Sequence, residues 1–371
     1  MTENPAAFKH KIDLAVVHAI SAAMRGPHPG FDDAGFVRAG AEGLLELELK
    51  DRVRHLIAAL RPCLPDDPTA AVDIVRRAGL GLYEGAQPVA GWANWPLIDF
   101  VGEFGVPCFD DGLEALRQMT GLWSAEFAIR PFFRADTERA LATVRRWLDD
   151  PDEHVRRLVS EGSRPRLPWG GRLRMFQAEP APVVQLLEAL RDDPAEYVRR
   201  SVANNLNDIA KDHPELVCQV CAHWLDGAPE PRQRLVQHAL RSLVKAGNPA
   251  ALEALGYRPN PPVEVESLRL SPTSVAEGES VEIAFTLVSR SQVGEPLVVD
   301  YAVHHVKANG GRTAKVFKLK NTRLDAGQSA AVRKKHSLKK VTTRVYYGGR
   351  HTVEILVNGT PRARADFDLR V

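Results

Sequence analysis

The chain has 371 residues, 44% of them hydrophobic and 26% charged, with a formal net charge of +2. That length exceeds what one hydrophobic core usually serves, so at least two cooperating units are expected, and no uncharged apolar run is long enough to span a bilayer. Four cysteines, Cys63, Cys108, Cys218 and Cys221, are too few in so long a chain for a disulfide framework, which points to a reducing, cytoplasmic setting.

Near the N-terminus Leu14 to Met24 is apolar, but His18 interrupts it and no small-residue cleavage site follows, so no export is indicated. From residue 1 to about 258 the chain reads as helix after helix, rich in Ala, Leu, Arg and Glu, with Pro, Gly and Asp-Pro punctuation and no strand signals. A helix over Leu122 to Phe133 would place Trp123, Glu126, Phe127 and Arg130 near one face. The residues allow two readings there: a rim ion pair of Glu126 with Arg130 beside core rings, or a carboxylate poised in an aromatic face.

The segment Asp149 to Val159 (DDPDEHVRRLV) recurs as Asp192 to Val202 (DDPAEYVRRSV), an offset of 43 residues. That period suits stacked helical pairs of the HEAT type, with Asp capping the incoming helix, Pro in its first turn, and Val155, Val159, Val198 and Val202 on the buried stripe. A degenerate third copy follows, with traces at Arg232 to Ala239, Leu243 to Lys245 and Asn248-Pro249. After Val159 the first copy departs into a loop carrying Arg164, Arg166, Arg172 and Arg174, with Pro165, Pro168 and Trp169. Arginine forks match phosphate oxygens and an aromatic ring packs on sugar or base, so this loop is a candidate binding surface; the alternative is a solvated loop whose Trp169 caps the core. The second copy continues through Arg199, Arg200, Asn204 and Asp208, where an amide and a carboxylate stand one turn apart and either bind something or form salt bridges between repeats. Cys218-x-x-Cys221 with His213 and His223 resembles half a zinc site, but it lies in a predicted helix without a second cysteine pair, and no metal is expected.

Three prolines between Tyr257 and Pro262 end the helices, giving a helical-repeat domain at 1–258, a linker at 259–262 and a different domain at 263–371. The last part carries alternating runs such as Ser280 to Leu287 and His351 to Val357, separated by Glu277-Gly278, Asn309-Gly310-Gly311 and Asn358-Gly359 turns. About seven such strands suit an immunoglobulin-like sandwich without its intersheet disulfide. Asn358-Gly359-Thr360 matches a glycosylation acceptor, but an Asn-Gly hairpin turn accounts for it. From residue 262 onward there are 18 Lys and Arg against 11 Asp and Glu, while the rest has 31 against 36. A basic module, with Lys315, Lys318, Lys320, Arg333, Lys334, Lys335, Lys339 and Lys340, fits a polyanionic partner or a solvated charged surface equally well.

Three stretches carry a resemblance: LWSAEFAIRPF (122–132), VRRLVSEGSRPRLPW (155–169) and YVRRSVANNLNDI (197–209). Together they resemble the AlkC branch of the AlkC/AlkD-like alkylpurine DNA glycosylases, and the sandwich resembles the immunoglobulin-like domain carried by one AlkC subgroup. The resemblance implies a HEAT-like solenoid whose concave face holds duplex DNA. It implies hydrolysis of the N-glycosidic bond of cationic bases, 3-methyladenine first, with 3-methylcytosine and 1-methyladenine as further candidates, without deep base flipping. Glu126 and Glu161 would be the catalytic carboxylates, with Asp208 beside them. Trp169 would pack on the lesion-bearing nucleotide, with Trp123, Phe127 and Asn204 also on the substrate side. Arg156, Arg157, Arg164, Arg166, Arg172, Arg174, Arg199 and Arg200 would anchor phosphates, and the sandwich lysines would clamp the duplex. A monomer without cofactor, metal or membrane is expected. The rival reading is a non-catalytic HEAT-repeat scaffold that binds DNA or protein.

Overall fold

The computed structural model describes residues 8–84, 89–341 and 344–371. The chain packs as two compact units that divide between Asp212 and His213. In the first unit the helices are α1 (Leu14–Met24), α2 (Asp33–Ala41), α3 (Leu49–Leu60), α4 (Pro68–Glu84), α5 (Ala90–Phe104), α6 (Phe109–Met119), α7 (Arg130–Ala135), α8 (Thr137–Arg145), α9 (Glu153–Gly162), α10 (Arg174–Ala178), α11 (Ala181–Leu190) and α12 (Glu196–Ile209). Large apolar side chains from several helices supply the core, among them Phe36, Phe100, Phe132, Phe133 and Phe176. Arg52 of α3 is also buried, and its guanidinium serves as a fixed fork for the carbonyls of Leu47, Lys9, Ile12 and Leu45 at 2.7–2.9 Å.

The repeat is built as its spacing suggested, with α9 packed on α12 and Val155, Val159, Val198 and Val202 all buried. The proline differs from expectation: Pro151 lies outside α9, whose cap is Asp152, accepting from the His154 N–H at 2.8 Å. The equivalent cap of α12 is Ala195, without a side-chain hydrogen bond. What recurs is the buried aspartate two residues earlier. Asp150 accepts from the Asp152 N–H and Asp193 from the Ala195 N–H, each at 2.9 Å. Each also receives an arginine from a helix three elements earlier than the one it precedes: Arg117 Nε of α6 donates to Asp150 at 2.8 Å, and Arg156 Nε of α9 donates to Asp193 at 2.6 Å. These ion pairs stitch α6 to the turn before α9 and α9 to the turn before α12, and they explain why the second aspartate of Asp-Asp-Pro repeats.

The second unit begins with α13 (Pro214–Leu225), α14 (Glu230–Ala239), α15 (Arg241–Lys245) and α16 (Pro249–Ala254). The change from helix to strand comes at Val263, whereas the packing boundary comes earlier, after Asp212. Cys218 and Cys221 lie buried in α13 as free thiols, and burial pushes Cys221 up to about 12. The strands are β1 (Val263–Ser271), β2 (Ser274–Ala276), β3 (Ser280–Ser289), β4 (Glu295–Val306), β5 (Arg312–Leu324), β6 (Ser329–Ser337), β7 (Gly349–Val357) and β8 (Thr360–Arg370). They form a three-stranded sheet in the order β1-β3-β6 and a five-stranded sheet in the order β2-β8-β7-β4-β5. Ile283, Phe285 and Leu287 of the first sheet pack with Val299, Tyr301, Val353 and Ile355 of the second in a common core.

The β7–β8 turn is the expected two-residue hairpin, with Asn358 and Gly359 at φ 46° and 73°. Asn358 is buried there: its Nδ2 donates to the Arg258 carbonyl at 2.9 Å and its Oδ1 accepts from the Val298 N–H at 2.7 Å. The proline-rich stretch is pinned rather than loose. Arg362 Nη2 donates to Asn260 Oδ1 and the Pro261 carbonyl at 2.8 and 2.7 Å, and the Arg290 N–H donates to the Pro262 carbonyl at 2.7 Å.

Candidate active site

Glu126 does not lie on a helix. The backbone leaves α6 at Thr120 and runs through tight turns until Arg130, because Pro131 fits the first turn of a helix and starts α7 there. Local side chains hold the turns: Thr120 Oγ1 accepts from the Ala125 N–H at 3.3 Å, and Ser124 Oγ donates to Glu126 Oε2 at 2.8 Å. Beneath them Trp123 stacks on Trp95 with ring centroids 5.3 Å apart and tilts against Trp92 at 4.9 Å, while Phe127 stacks on Trp95 at 6.5 Å. Glu126 and Arg130 do not pair. Arg130 is buried and donates from Nη1 to the Gly162 carbonyl at 2.9 Å and from Nε to the Gly171 carbonyl at 2.8 Å, fastening the arginine-rich loop to α9. Burial pulls its pKa down to about 10.

Glu126 instead meets α9. Nη2 of Arg157 is 2.8 Å from Glu126 Oε2 and 3.6 Å from Glu161 Oε1, while Arg157 Nη1 donates to Ser124 Oγ at 2.7 Å. Glu161, buried at the end of the same helix, accepts from Arg164 Nη1 at 2.7 Å through Oε1 and from the Ser201 hydroxyl of α12 at 2.6 Å through Oε2. Arg164 then reaches Asp208 Oδ2 at 2.7 Å, and Lys211 Nζ donates to Asp208 Oδ1 at 2.7 Å. Burial alone would lower the Arg164 pKa, but the flanking Glu161 and Asp208 carboxylates outweigh it and hold it above its ordinary value. The result is one chain of alternating charge, Glu126–Arg157–Glu161–Arg164–Asp208–Lys211, with three carboxylates and three cations drawn from three segments. Glu126 is its most open carboxylate, with 16% of its side chain exposed against 7% for Glu161 and 3% for Asp208. Asn204 lies half-buried on α12. The amide that supports the network is its neighbour Asn205, fully buried, whose Nδ2 donates to the Ser160 carbonyl at 2.7 Å and to Ser163 Oγ at 3.2 Å.

The other candidate arginines divide by what they touch. Arg156 is taken up by Asp193 and by the Asp150 and Pro151 carbonyls, and Arg199 by the Asp193 and Pro194 carbonyls, so both serve the repeat. Arg166 pairs with Asp212 at 2.5 Å. Arg172, Arg174 and Arg200 are exposed. In the second unit Lys315, Lys318 and Lys320 stand on β5, and Lys334 and Lys335 on β6, each strand the edge of its sheet. Lys339 and Lys340 follow β6 and are exposed.

Residues 264–371 match the family model described as "Uncharacterised protein YhaZ, C-terminal Ig-like domain". Over 347 residues, 93% of this chain and 94% of the other, the sequence is 35% identical to "Uncharacterized protein YhaZ" of Bacillus subtilis (strain 168). The fold matches the Pseudomonas fluorescens alkylpurine DNA glycosylase AlkC, solved bound to DNA containing an abasic site analog. That match has a TM-score of 0.91 and 38% identity and covers 98% of this chain and 100% of that one. The chain belongs to the AlkC family. Because the AlkC match extends over nearly the whole chain, the helical repeats and the Ig-like domain are both part of the family architecture rather than a chance fusion.

On the far side of Phe127 this AlkC-family chain has a cleft of about 200 Å³, lined by Lys50, Arg54, Trp95, Asp99, Phe127, Arg134, Trp169 and neighbouring residues. Trp169 stands at its edge with 69% of its surface exposed and its backbone in the left-handed region, at φ 64°. It therefore does not cap the core. Lys50 Nζ donates to the Trp169 carbonyl and lies 4.7 Å from the Phe127 ring centroid. Asp99 Oδ2 accepts from Trp95 Nε1 at 2.9 Å, and burial pushes its carboxyl up to about 7. Sequence reasoning missed Lys50 and Asp99. Trp95 and Asp99 at one-turn spacing are a visible signal, but nothing local places Lys50 opposite them.

Proposed function

We propose that the chain is a DNA glycosylase that hydrolyses the N-glycosidic bond of cationic alkylated bases in duplex DNA, 3-methyladenine first among them. The observation that carries this reading is the meeting of Glu126 and Glu161 at one nitrogen of Arg157. The likeness to an alkylpurine DNA glycosylase over nearly the whole chain supports it. A base alkylated at N3 is already cationic and leaves without much help from an acid. The barrier lies in the positive charge that grows on the deoxyribose as the bond breaks. A carboxylate held against that sugar stabilises the charge, and a second one orients the attacking water. Glu126, the most open of the three, would face the sugar. Glu161, held by Ser201 and Arg164, would be the second carboxylate, orienting the water and fixing Arg157 beside Glu126. Asp208 acts one step further back, through Arg164.

Trp169, exposed beside the site, would pack on the lesion-bearing nucleotide, with Phe127 behind it. Of the arginines in the repeats and their loop, the exposed Arg172, Arg174 and Arg200 would meet phosphates, with Lys315, Lys318, Lys320, Lys334, Lys335, Lys339 and Lys340 as a second basic surface. The test is release of 3-methyladenine from methylated duplex DNA by the full chain, compared with Glu126→Gln and Glu161→Gln. The wild type should release the base, and each variant should lose on the order of 10²-fold or more in rate. No release by the wild type would refute the activity, and full rate in both variants would refute the site.

A further inference from the structure

We propose that the cleft between Phe127 and Trp169 is a phosphodiester-binding site in which Lys50, Arg54 and Arg134 grip the backbone of DNA and Asp99 acts as a proton gate at its floor. This rests on the reading of DNA as substrate. Lys50 and Arg54 stand one turn apart on α3, and Arg134 comes from α7. Arg54 also meets Asp51 at 2.9 Å at the rim, and Arg130 lies behind, tied to Gly171. The opposing wall is bare backbone: a Cβ on Gly171 would fall 2.2 Å from Arg134 Nη2, so a side chain there would make the flexible guanidinium shift from its place. Four basic side chains line the cleft against the single carboxylate of Asp99. Such a balance repels a cationic base and attracts a phosphate, which the same polymer carries on either side of every base.

Asp99 gives the site its dependence on protons. Its Oδ1 is buried and has no hydrogen-bond partner. An ionised carboxylate at the floor opposes an incoming phosphate, whereas the protonated group carries no charge to repel it. The charged groups around it are Lys50 and Arg54 from α3, Glu103 from its own helix α5, Glu126 from the turns, and Arg130 and Arg134 from α7. Burial, Glu103 and Glu126 push the Asp99 pKa up, and the Trp95 hydrogen bond and Lys50 hold it down, with a balance at about 7. A phosphate placed beside it pushes the pKa higher still, so binding takes up a proton. By linkage, affinity should rise about tenfold as pH falls from 8 to 6.

The experiment is fluorescence-anisotropy titration of an undamaged duplex with the full chain at pH 6, 7 and 8 and constant ionic strength, repeated across a salt series. Wild type should bind about tenfold more tightly at pH 6 than at pH 8. Asp99→Asn, which mimics the protonated carboxyl, should bind at pH 8 nearly as tightly as wild type does at pH 6. Lys50→Met and the exposed Arg134→Met should each weaken binding and reduce the slope of log affinity against log salt by roughly one. The proposal is overturned if Asp99→Asn keeps the wild-type pH dependence, or if both cation variants keep wild-type affinity and salt slope. A wild type that binds no duplex at any pH would overturn the DNA reading together with this site, whereas duplex binding without the Asp99 effect overturns the site alone.

Discussion

Arg156 and Asp193 meet through two hydrogen bonds of 2.6 and 3.0 Å, with 12% of one side chain and 3% of the other exposed to solvent. The pair joins the start of α9 to the turn that precedes α12, and the Asp193 carboxylate also raises the pKa of the guanidinium. A buried pair of this kind is expensive to break from one side, because the remaining charge loses its opposite charge while staying shielded from solvent. Arg156→Ala is therefore expected to destabilise the first unit by about 3–5 kcal/mol, and Asp193→Ala by a similar amount. Urea denaturation followed by circular dichroism measures it. A loss below about 1 kcal/mol would return Arg156 to the exposed, phosphate-seeking class.

Arg157 is placed differently, since its guanidinium touches both carboxylates of the candidate site and lies 5.0 Å from the Tyr197 ring centroid. A planar fork with a ring behind it has a fixed direction that a lysine cannot reproduce. Arg157→Met should lower the single-turnover rate of base release by roughly 10²-fold, and Arg157→Lys should recover only a small part of the loss. Equal rates for the lysine variant and wild type would show that Arg157 supplies charge alone.

The contrast between these two arginines marks what could be read from the sequence. The recurrence of DDPxExVRR located α9 and α12, and the alternating runs after Pro262 located the sandwich, because both patterns are set by contacts that repeat at fixed spacing. Yet Arg156 and Arg157 are adjacent and identical in type, and only their rotation about α9 sends one into the repeat joint and the other into the site. The same limit applies to Glu126, which was expected on a helix. Pro131 was visible, but its role as the start of α7 depends on how the preceding turns close. Asp99 showed only through its one-turn spacing from Trp95, and Lys50 was not legible at all, because the two come together from segments far apart in the chain.

In the sandwich, His305, His336 and His351 are buried close together, with ring centroids 6.4 Å apart for His305–His336 and 5.5 Å for His305–His351. Burial, aided by Arg344 and neighbouring charges, pushes His305 down to about 3 and His336 down to about 4, and it lowers His351 as well. An unfolded chain would protonate these rings near pH 6.5. The unfolded state thus binds more protons on the acid side. The stability held by neutral histidines is complete above about pH 6.5 and falls as pH drops toward 4, by roughly 2–3 kcal/mol for His305 after allowing for screening. Hydrogen exchange across residues 263–371 at pH 7, 5 and 4 should show protection falling with acid. His305→Gln should flatten that slope, and an unchanged slope would remove His305 from the account.

Trp169 offers the sharpest separation of stability from activity. A non-glycine residue at φ 64° carries strain of about 1–2 kcal/mol, and a ring 69% exposed recovers little of it by burial. The Lys50 contact is made to the Trp169 carbonyl, so it does not depend on the ring. Trp169→Gly removes the strain and keeps that contact, at the cost of a more flexible unfolded chain. The variant should stay within about 1 kcal/mol of wild-type stability, or exceed it, while Trp169→Ala keeps the strain and sits slightly lower. If the ring packs on the lesion-bearing nucleotide, both variants should release 3-methyladenine about tenfold more slowly, in line with the ~1–3 kcal/mol that one aromatic stacking contact is worth. Denaturation midpoints and single-turnover rates on the same preparations decide it. A variant that loses more than about 2 kcal/mol of stability while excising at the wild-type rate would make Trp169 a structural residue of the loop.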